Sequence, residues 1–192
     1  MIKEKQVLFA GFGGQGVLSM AKFLAYAAMN AGKSVTWVPS YGPEMRGGTA
    51  NCLVTVSDEE ISSPITENPL VAVILNLPSL EKFEPLVRTG GTLMINSSLV
   101  DKVPVRKDVK VLYLPVNKLA DDIDYPQGAN MILVGACLHQ TNIVKAEEAL
   151  DFFEEIFEGK SQSVIDKNKE AFIAGIEYAR TQWPSSQEEM AS

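Results

Sequence analysis

The chain has 192 residues, 46% hydrophobic and 21% charged, the usual size of one domain, so a single large core is expected. Its 17 basic and 24 acidic residues give a net charge of −7, and no stretch gathers enough Lys and Arg to neutralise a run of phosphates, which argues against nucleic acid as a partner. No segment approaches the roughly 18 uninterrupted apolar residues of a bilayer span, and the first apolar run is too short for a signal-peptide core, so a cytoplasmic protein without membrane contact is expected. Cys52 and Cys137 are far apart and outside any paired spacing, and both read as ordinary thiols.

Residues 6–10 form a short apolar run ended by glycine, which suits a strand buried on both faces. Val17, Leu18, Ala21, Leu24, Ala25 and Ala28 then recur at helical spacing, and Gly32 stands where a helix C-terminus favours glycine. Residues 34–38 read as the next strand, so the chain opens on a βαβ unit. Residues 39–49 are dense in turn formers and carry aromatic, acidic and basic side chains, the marks of a long functional loop. Residues 52–56 alternate as a strand, and residues 61–64 read as a short edge piece stopped by Pro64. Two further buried strands, 71–75 and 92–96, flank a helix around 80–87, and residues 109–114 add another strand. The remainder turns helical, with residues 130–140 apolar on most faces and an amphipathic helix over 145–158 ending at Gly159. A last helix, capped by Ser163, buries Ile165, Phe172, Ile176 and Ala179. The order is α/β, with one domain over residues 1–183 and a flexible polar tail over 184–192.

Gly11, Gly13 and Gly16 match Gly-x-Gly-x-x-Gly directly after a strand and at the opening of a helix, where backbone N–H groups can hold a phosphate. A dinucleotide reader also needs an acid at the end of the second strand; here that strand runs into Val38-Pro39-Ser40, and Glu44 lies well inside the following loop. Three readings of the turn stay open: a tight connection with no ligand, a phosphate-bearing ligand other than NAD, and NAD(P) or FAD. Gly14 shares the turn, and the amide of Gln15 points at either a ligand or a partner subunit. In the loop, Gly42, Gly47 and Gly48 flank Glu44 and Arg46, which form either a local ion pair or a recognition surface together with Tyr41. Ligands of doubly wound sheets sit beyond the carboxyl ends of the strands, so turn and loop are expected to face one crevice. No catalytic residue is assigned: the single histidine, His139, falls in an apolar helix, and the sequence shows neither a Cys cluster nor a Walker loop nor a metal-binding pair.

Gly11-Phe12-Gly13-Gly14-Gln15-Gly16-Val17, followed by Pro39-Ser40-Tyr41-Gly42-Pro43-Glu44-Met45-Arg46-Gly47-Gly48-Thr49-Ala50-Asn51-Cys52, strongly resembles the gamma subunit of 2-oxoacid:ferredoxin oxidoreductases. The resemblance implies a Rossmann-like three-layer domain with a mainly parallel sheet and C-terminal helices. It further implies assembly with alpha and beta subunits, and often a small ferredoxin-like delta subunit. In that family the partners carry thiamine diphosphate and iron–sulfur clusters and oxidatively decarboxylate a 2-oxoacid to an acyl-CoA, with ferredoxin as electron acceptor; the isolated chain is then inactive. The family's gamma domain is associated with coenzyme A, which the resemblance carries onto Gly13, Gly14, Gln15 and Gly16, beside Gly11 as a further candidate of the turn. The loop wording is closer to the 2-oxoglutarate or branched-chain type than to the pyruvate type. A stand-alone NAD(P)-dependent oxidoreductase and a nucleotide-sensing regulatory module are the competing readings.

Overall fold

The computed structural model describes residues 4–42 and 48–183, so the tail over 184–192 and the loop centre, residues 43–47 with Glu44, Arg46 and Gly47, lie outside the described residues. The chain divides into two compact units, Met1–Pro115 and Val116–Ser192.

The first unit holds six strands, β1 (Glu4–Phe12), β2 (Ser34–Tyr41), β3 (Thr49–Ser57), β4 (Val71–Ile74), β5 (Thr92–Asn96) and β6 (Lys110–Leu114). Helix α1 (Val17–Asn30) follows β1, and α2 (Leu77–Phe83), prolonged by a 3-10 turn over Glu84–Leu86, follows β4. The strands form one sheet in the order β2-β3-β1-β4-β5-β6. Pairs β1–β4, β4–β5 and β5–β6 are parallel, whereas β3 runs antiparallel to both β1 and β2. The mainly parallel α/β sheet is therefore as expected, with one change in the opening unit. Strand β3 returns antiparallel beside β2, which needs no crossover helix, and it separates β2 from β1.

Strand β2 runs on through Pro39 to Tyr41, beyond the expected end at Val38. Proline is tolerated there because β2 is an edge strand and its missing N–H leaves no partner unsatisfied. The edge piece expected over 61–64 is not a strand. Its polar groups are taken up otherwise: Ser62 N–H donates to Glu4 Oε1 at the start of β1 (2.9 Å), and Ser63 Oγ donates locally to the Ile65 carbonyl (3.0 Å), which competes with ladder formation.

Alternation along the strands sends two apolar sets to opposite faces. On one face Leu8, Ala10, Leu53, Ala72, Ile74, Leu93 and Ile95 pack with Leu80, Phe83 and Val87 of the α2 segment. The other face carries Val7, Phe9, Cys52 and Val54, all buried. Helix α1 lies on that second face, since a Cβ added at Gly11, in phase with Val7 and Phe9, would stand 3.1 Å from Val17 Cγ2. Its stripe of Met20, Phe23, Leu24, Ala27 and Ala28 is fully buried, each large side chain contributing about 1.5–3 kcal/mol. Helix, sheet and helix make three layers.

The second unit is helical throughout: α3 (Val116–Asp122), α4 (Ala129–Thr141), α5 (Ala146–Asp151), α6 (Phe153–Ile156) and α7 (Gln162–Gln182). The helix expected over 145–158 is broken at Phe152 into α5 and α6. Just past the break the fully buried Phe153 ring stacks on Phe157 (centroids 4.9 Å apart) and meets Phe172 edge-on (5.8 Å). Ser163 is not the cap of the last helix. The N–H groups of Val164 and Ile165 donate to the Ser161 carbonyl, so α7 starts two residues earlier and Ser163 lies inside it. Both cysteines are buried free thiols, each pushed up to about 12 by burial, as inert as the sequence suggests. Among the described residues no helix is long and apolar enough to cross a membrane.

Candidate functional site

Because β3 opposes its neighbours, the carboxyl ends of β1, β2 and β4 and the start of β3 share one edge of the sheet, and the Gly-rich turn rises from it. Cα partners align Phe12 with Thr49 and Gly11 with Ala50, and Ala50 with Tyr41 across the next pair. The turn and the foot of the loop are joined directly: Gly13 N–H donates to the Gly48 carbonyl (2.8 Å), while Gly42 N–H donates to the Thr49 carbonyl (3.3 Å).

The glycines of the turn have separate jobs. Gly14 and Gly16 sit at φ 99° and 81°, left-handed conformations that L side chains rarely adopt. Gly11 is needed for close approach: a Cβ there would lie 2.7 Å from Gln15 Oε1 and 3.1 Å from Leu75 Cβ. Gln15 faces inward. Its Oε1 accepts from Phe12 N–H (2.7 Å) and from Asn76 Nδ2 (3.2 Å), and its Nε2 donates to the Leu75 carbonyl (3.3 Å). Asn76 in turn caps α2, its Oδ1 accepting from Ser79 N–H (2.9 Å). One amide thus ties the ends of β1 and β4 and the start of α2 to the turn. Asn76 has no motif to mark it in the sequence; its signal was a cap residue just before Pro78.

Outward from the turn opens a groove of about 590 Å³. Phe12, Gly13, Gly14 and Gly16 form one end, the first turn of α1 (Val17, Leu18, Ser19) one wall, and Trp37, Tyr41, Gly48, Thr49 and Ala50 the other. Of the residues singled out from sequence, Gly13, Gly14, Gly16, Tyr41 and Gly48 line it, Gly11 and Gln15 support it from inside, and Gly42 stands at the loop's foot, where an added Cβ would meet nothing within 4 Å among the described residues. Trp37 was missed; four residues before Tyr41 on one strand, it takes the same face.

Helix α1 has no side-chain cap and no acid in its first turn, so its N-terminal N–H groups and dipole are offered to the groove. No Lys or Arg is among the described lining residues, which leaves backbone amides as the source of positive potential. Among the described residues the groove brings together hydroxyls, backbone amides and apolar rings. Away from the groove the Asp108 carboxyl is held low by a hydrogen bond from Arg106, on the segment leading into β6.

A mainly parallel sheet with helices on both faces and a Gly-rich turn at its carboxyl edge defines a Rossmann-like α/β domain. The chain belongs to the pyruvate ferredoxin/flavodoxin oxidoreductase family, whose description it matches over residues 6–178. It is 36% identical over 179 residues to the ketoisovalerate oxidoreductase subunit VorA of Methanothermobacter marburgensis, covering 93% of this chain and 37% of that one. It spans, in other words, little more than a third of that relative's length. Against the 2-oxoglutarate synthase subunit KorC of Methanocaldococcus jannaschii it is 33% identical over 181 residues, covering 92% of this chain and 95% of KorC. The gamma subunit of a keto/oxoacid ferredoxin oxidoreductase from Geobacter sulfurreducens superposes with a TM-score of 0.78 at 27% identity, covering 92% of this chain and 99% of that one.

Proposed function

We propose that this chain is the gamma subunit of a 2-oxoacid:ferredoxin oxidoreductase, and that its Gly-rich turn takes a phosphate of coenzyme A. The observation that carries the reading is the near end-to-end match with the 2-oxoglutarate synthase subunit KorC, which covers 92% of this chain and 95% of that one. Alpha and beta subunits bearing thiamine diphosphate and iron–sulfur clusters supply the oxidative decarboxylation, with ferredoxin as acceptor and, in some assemblies, a ferredoxin-like delta subunit. This chain's residues bind and orient. The first-turn N–H groups of α1 face an anion, Gly14 and Gly16 let the backbone approach it, and Gln15 holds the turn in place from behind. The substrate is 2-oxoglutarate or a branched-chain 2-oxoacid, as the ketoisovalerate and 2-oxoglutarate relatives favour.

Reconstitution with the alpha and beta subunits tests both halves. Ferredoxin reduction driven by 2-oxoacid and coenzyme A is expected only when this chain is present; equal activity without it overturns the subunit assignment. Gly13 lacks a left-handed φ, so Gly13→Asp is free of that strain and puts a carboxylate where a phosphate approaches. It is expected to raise KM for coenzyme A at least tenfold in the assembled enzyme, roughly 1.4 kcal/mol. An unchanged KM removes the turn as the phosphate site and leaves the subunit assignment standing.

A further inference from the structure

The turn accounts for one end of the groove, and its aromatic wall is still without a role. Trp37 and Tyr41 are 42% and 65% exposed, large rings left to solvent on an edge strand. Their odd-numbered positions place both on the face that α1 covers, and both line the 590 Å³ groove. Tyr41 is level with the turn, through the alignment of Gly11, Ala50 and Tyr41. Trp37 aligns with Val54 and through it with Val7, four positions down the strand, or about 13 Å at 3.3 Å per residue. The groove therefore runs from backbone N–H groups at one end, along an apolar helix face, to an indole. A simple anion site needs no such length and no rings.

We propose that Trp37, flanked by Tyr41, is the platform for a flat heteroaromatic ring carried by the ligand whose phosphate occupies the turn, the adenine of an adenine nucleotide. Rings stack on indole and phenol faces whatever their hydrogen-bonding edges, and a span of about 13 Å suits a base joined to phosphate through a sugar. This rests on the coenzyme A reading above and adds an orientation to it: the adenosine end lies along β2 on this chain, and the arm bearing the thiol leaves past the turn. The described lining offers no ionic partner, so ring stacking rather than charge supplies the discrimination on this wall.

The test uses the assembled enzyme and measures Kd for coenzyme A by calorimetry, with displacement by adenosine 3′,5′-bisphosphate, which has the base and phosphates but no thiol arm. Trp37→Ala is expected to weaken both ligands at least tenfold, Tyr41→Ala both by a smaller factor, and Trp37→Phe neither by more than about threefold. Trp37→Ala and Tyr41→Ala binding both ligands within twofold of the parent overturns the platform. Coenzyme A affinity weakened by Gly13→Asp in that same experiment keeps the phosphate reading, so the two can fail separately. Loss of the alpha and beta subunits on purification of Trp37→Ala overturns the proposal too, assigning the rings to a subunit contact.

Discussion

Arg106 secures the segment between β5 and β6 to the end of α2. Its backbone N–H donates to Glu84 Oε1 (2.8 Å), and its Nη1 donates to the carbonyls of Glu84, Pro85 and Val87 (3.3, 3.2 and 3.0 Å) at a helix C-terminus. The other side of the guanidinium forks onto Asp108, Nε to Oδ1 at 2.5 Å and Nη2 to Oδ2 at 2.6 Å, and Thr89 Oγ1 adds a bond to Oδ2 (2.9 Å). The Arg106 hydrogen bond, followed by that of Thr89, holds the Asp108 carboxyl well below the usual carboxylate range. A carboxyl depressed in the folded state stabilises the fold fully above its unfolded pKa of about 3.9, and that contribution fades as acid protonates it in the native state. Asp108→Asn is therefore expected to lower Tm near neutrality and to flatten the decline of Tm below about pH 4. Parallel Tm profiles for the parent and the variant across the acid range would contradict this. Neither Arg106 nor Gln15 was legible as a fastener in the sequence, because several of their partners are backbone groups brought close only by the fold: the Leu75 carbonyl for Gln15, and the carbonyls of Glu84, Pro85 and Val87 for Arg106.

Helix periodicity found α1, α4 and α7 because each keeps a buried face over at least three turns. The seven-residue α3 was too short to show a period, and the junction at Phe152 was hidden because the apolar spacing continues across it. What the pattern could not show at all is how closely α4 and α7 approach. A Cβ added at Gly135 would stand 2.1 Å from the Phe172 carbonyl oxygen, and one at Gly175 would stand 2.0 Å from that of Ile132. Both clashes are with backbone, so a side-chain rotation cannot relieve them. Substituting Ala for Gly inside a helix normally gains about 1 kcal/mol of propensity, whereas overpacking of this kind costs about 1–3 kcal/mol or more. The clash is expected to win: Gly175→Ala should lower Tm by several degrees, at about 2–4 °C per kcal/mol for a chain of this length. A raised Tm would show that propensity dominates and that the two helices are not in backbone contact.

For the molecule as a whole, the sequence announced an α/β sheet and the crevice at its carboxyl edge, since buried strands, glycine turns and amphipathic helices alternate in order. Strand order was beyond it, because nothing within residues 49–57 says which neighbour they will pair with. That order bears on the ligand. A dinucleotide fold sets its second strand directly beside the first, so that an acid at its end reaches the ribose of a cofactor held on the turn. Here β3 intervenes, and two strand spacings put β2 about 10 Å from β1 instead of about 5 Å. The strand beside β1 also begins, rather than ends, at the binding edge, with Thr49 opposite Phe12. The missing acid is therefore a consequence of architecture and not of one residue. NADH titrated into the isolated chain is expected to show no fluorescence change up to millimolar concentration. Ser40→Asp, which restores an acid near the end of β2 in sequence, should leave that result unchanged, since β2 remains one strand too far away. Saturable NADH binding to the parent chain would revive the stand-alone dehydrogenase reading, and binding gained only in Ser40→Asp would show that β2 reaches the ligand despite the inserted strand.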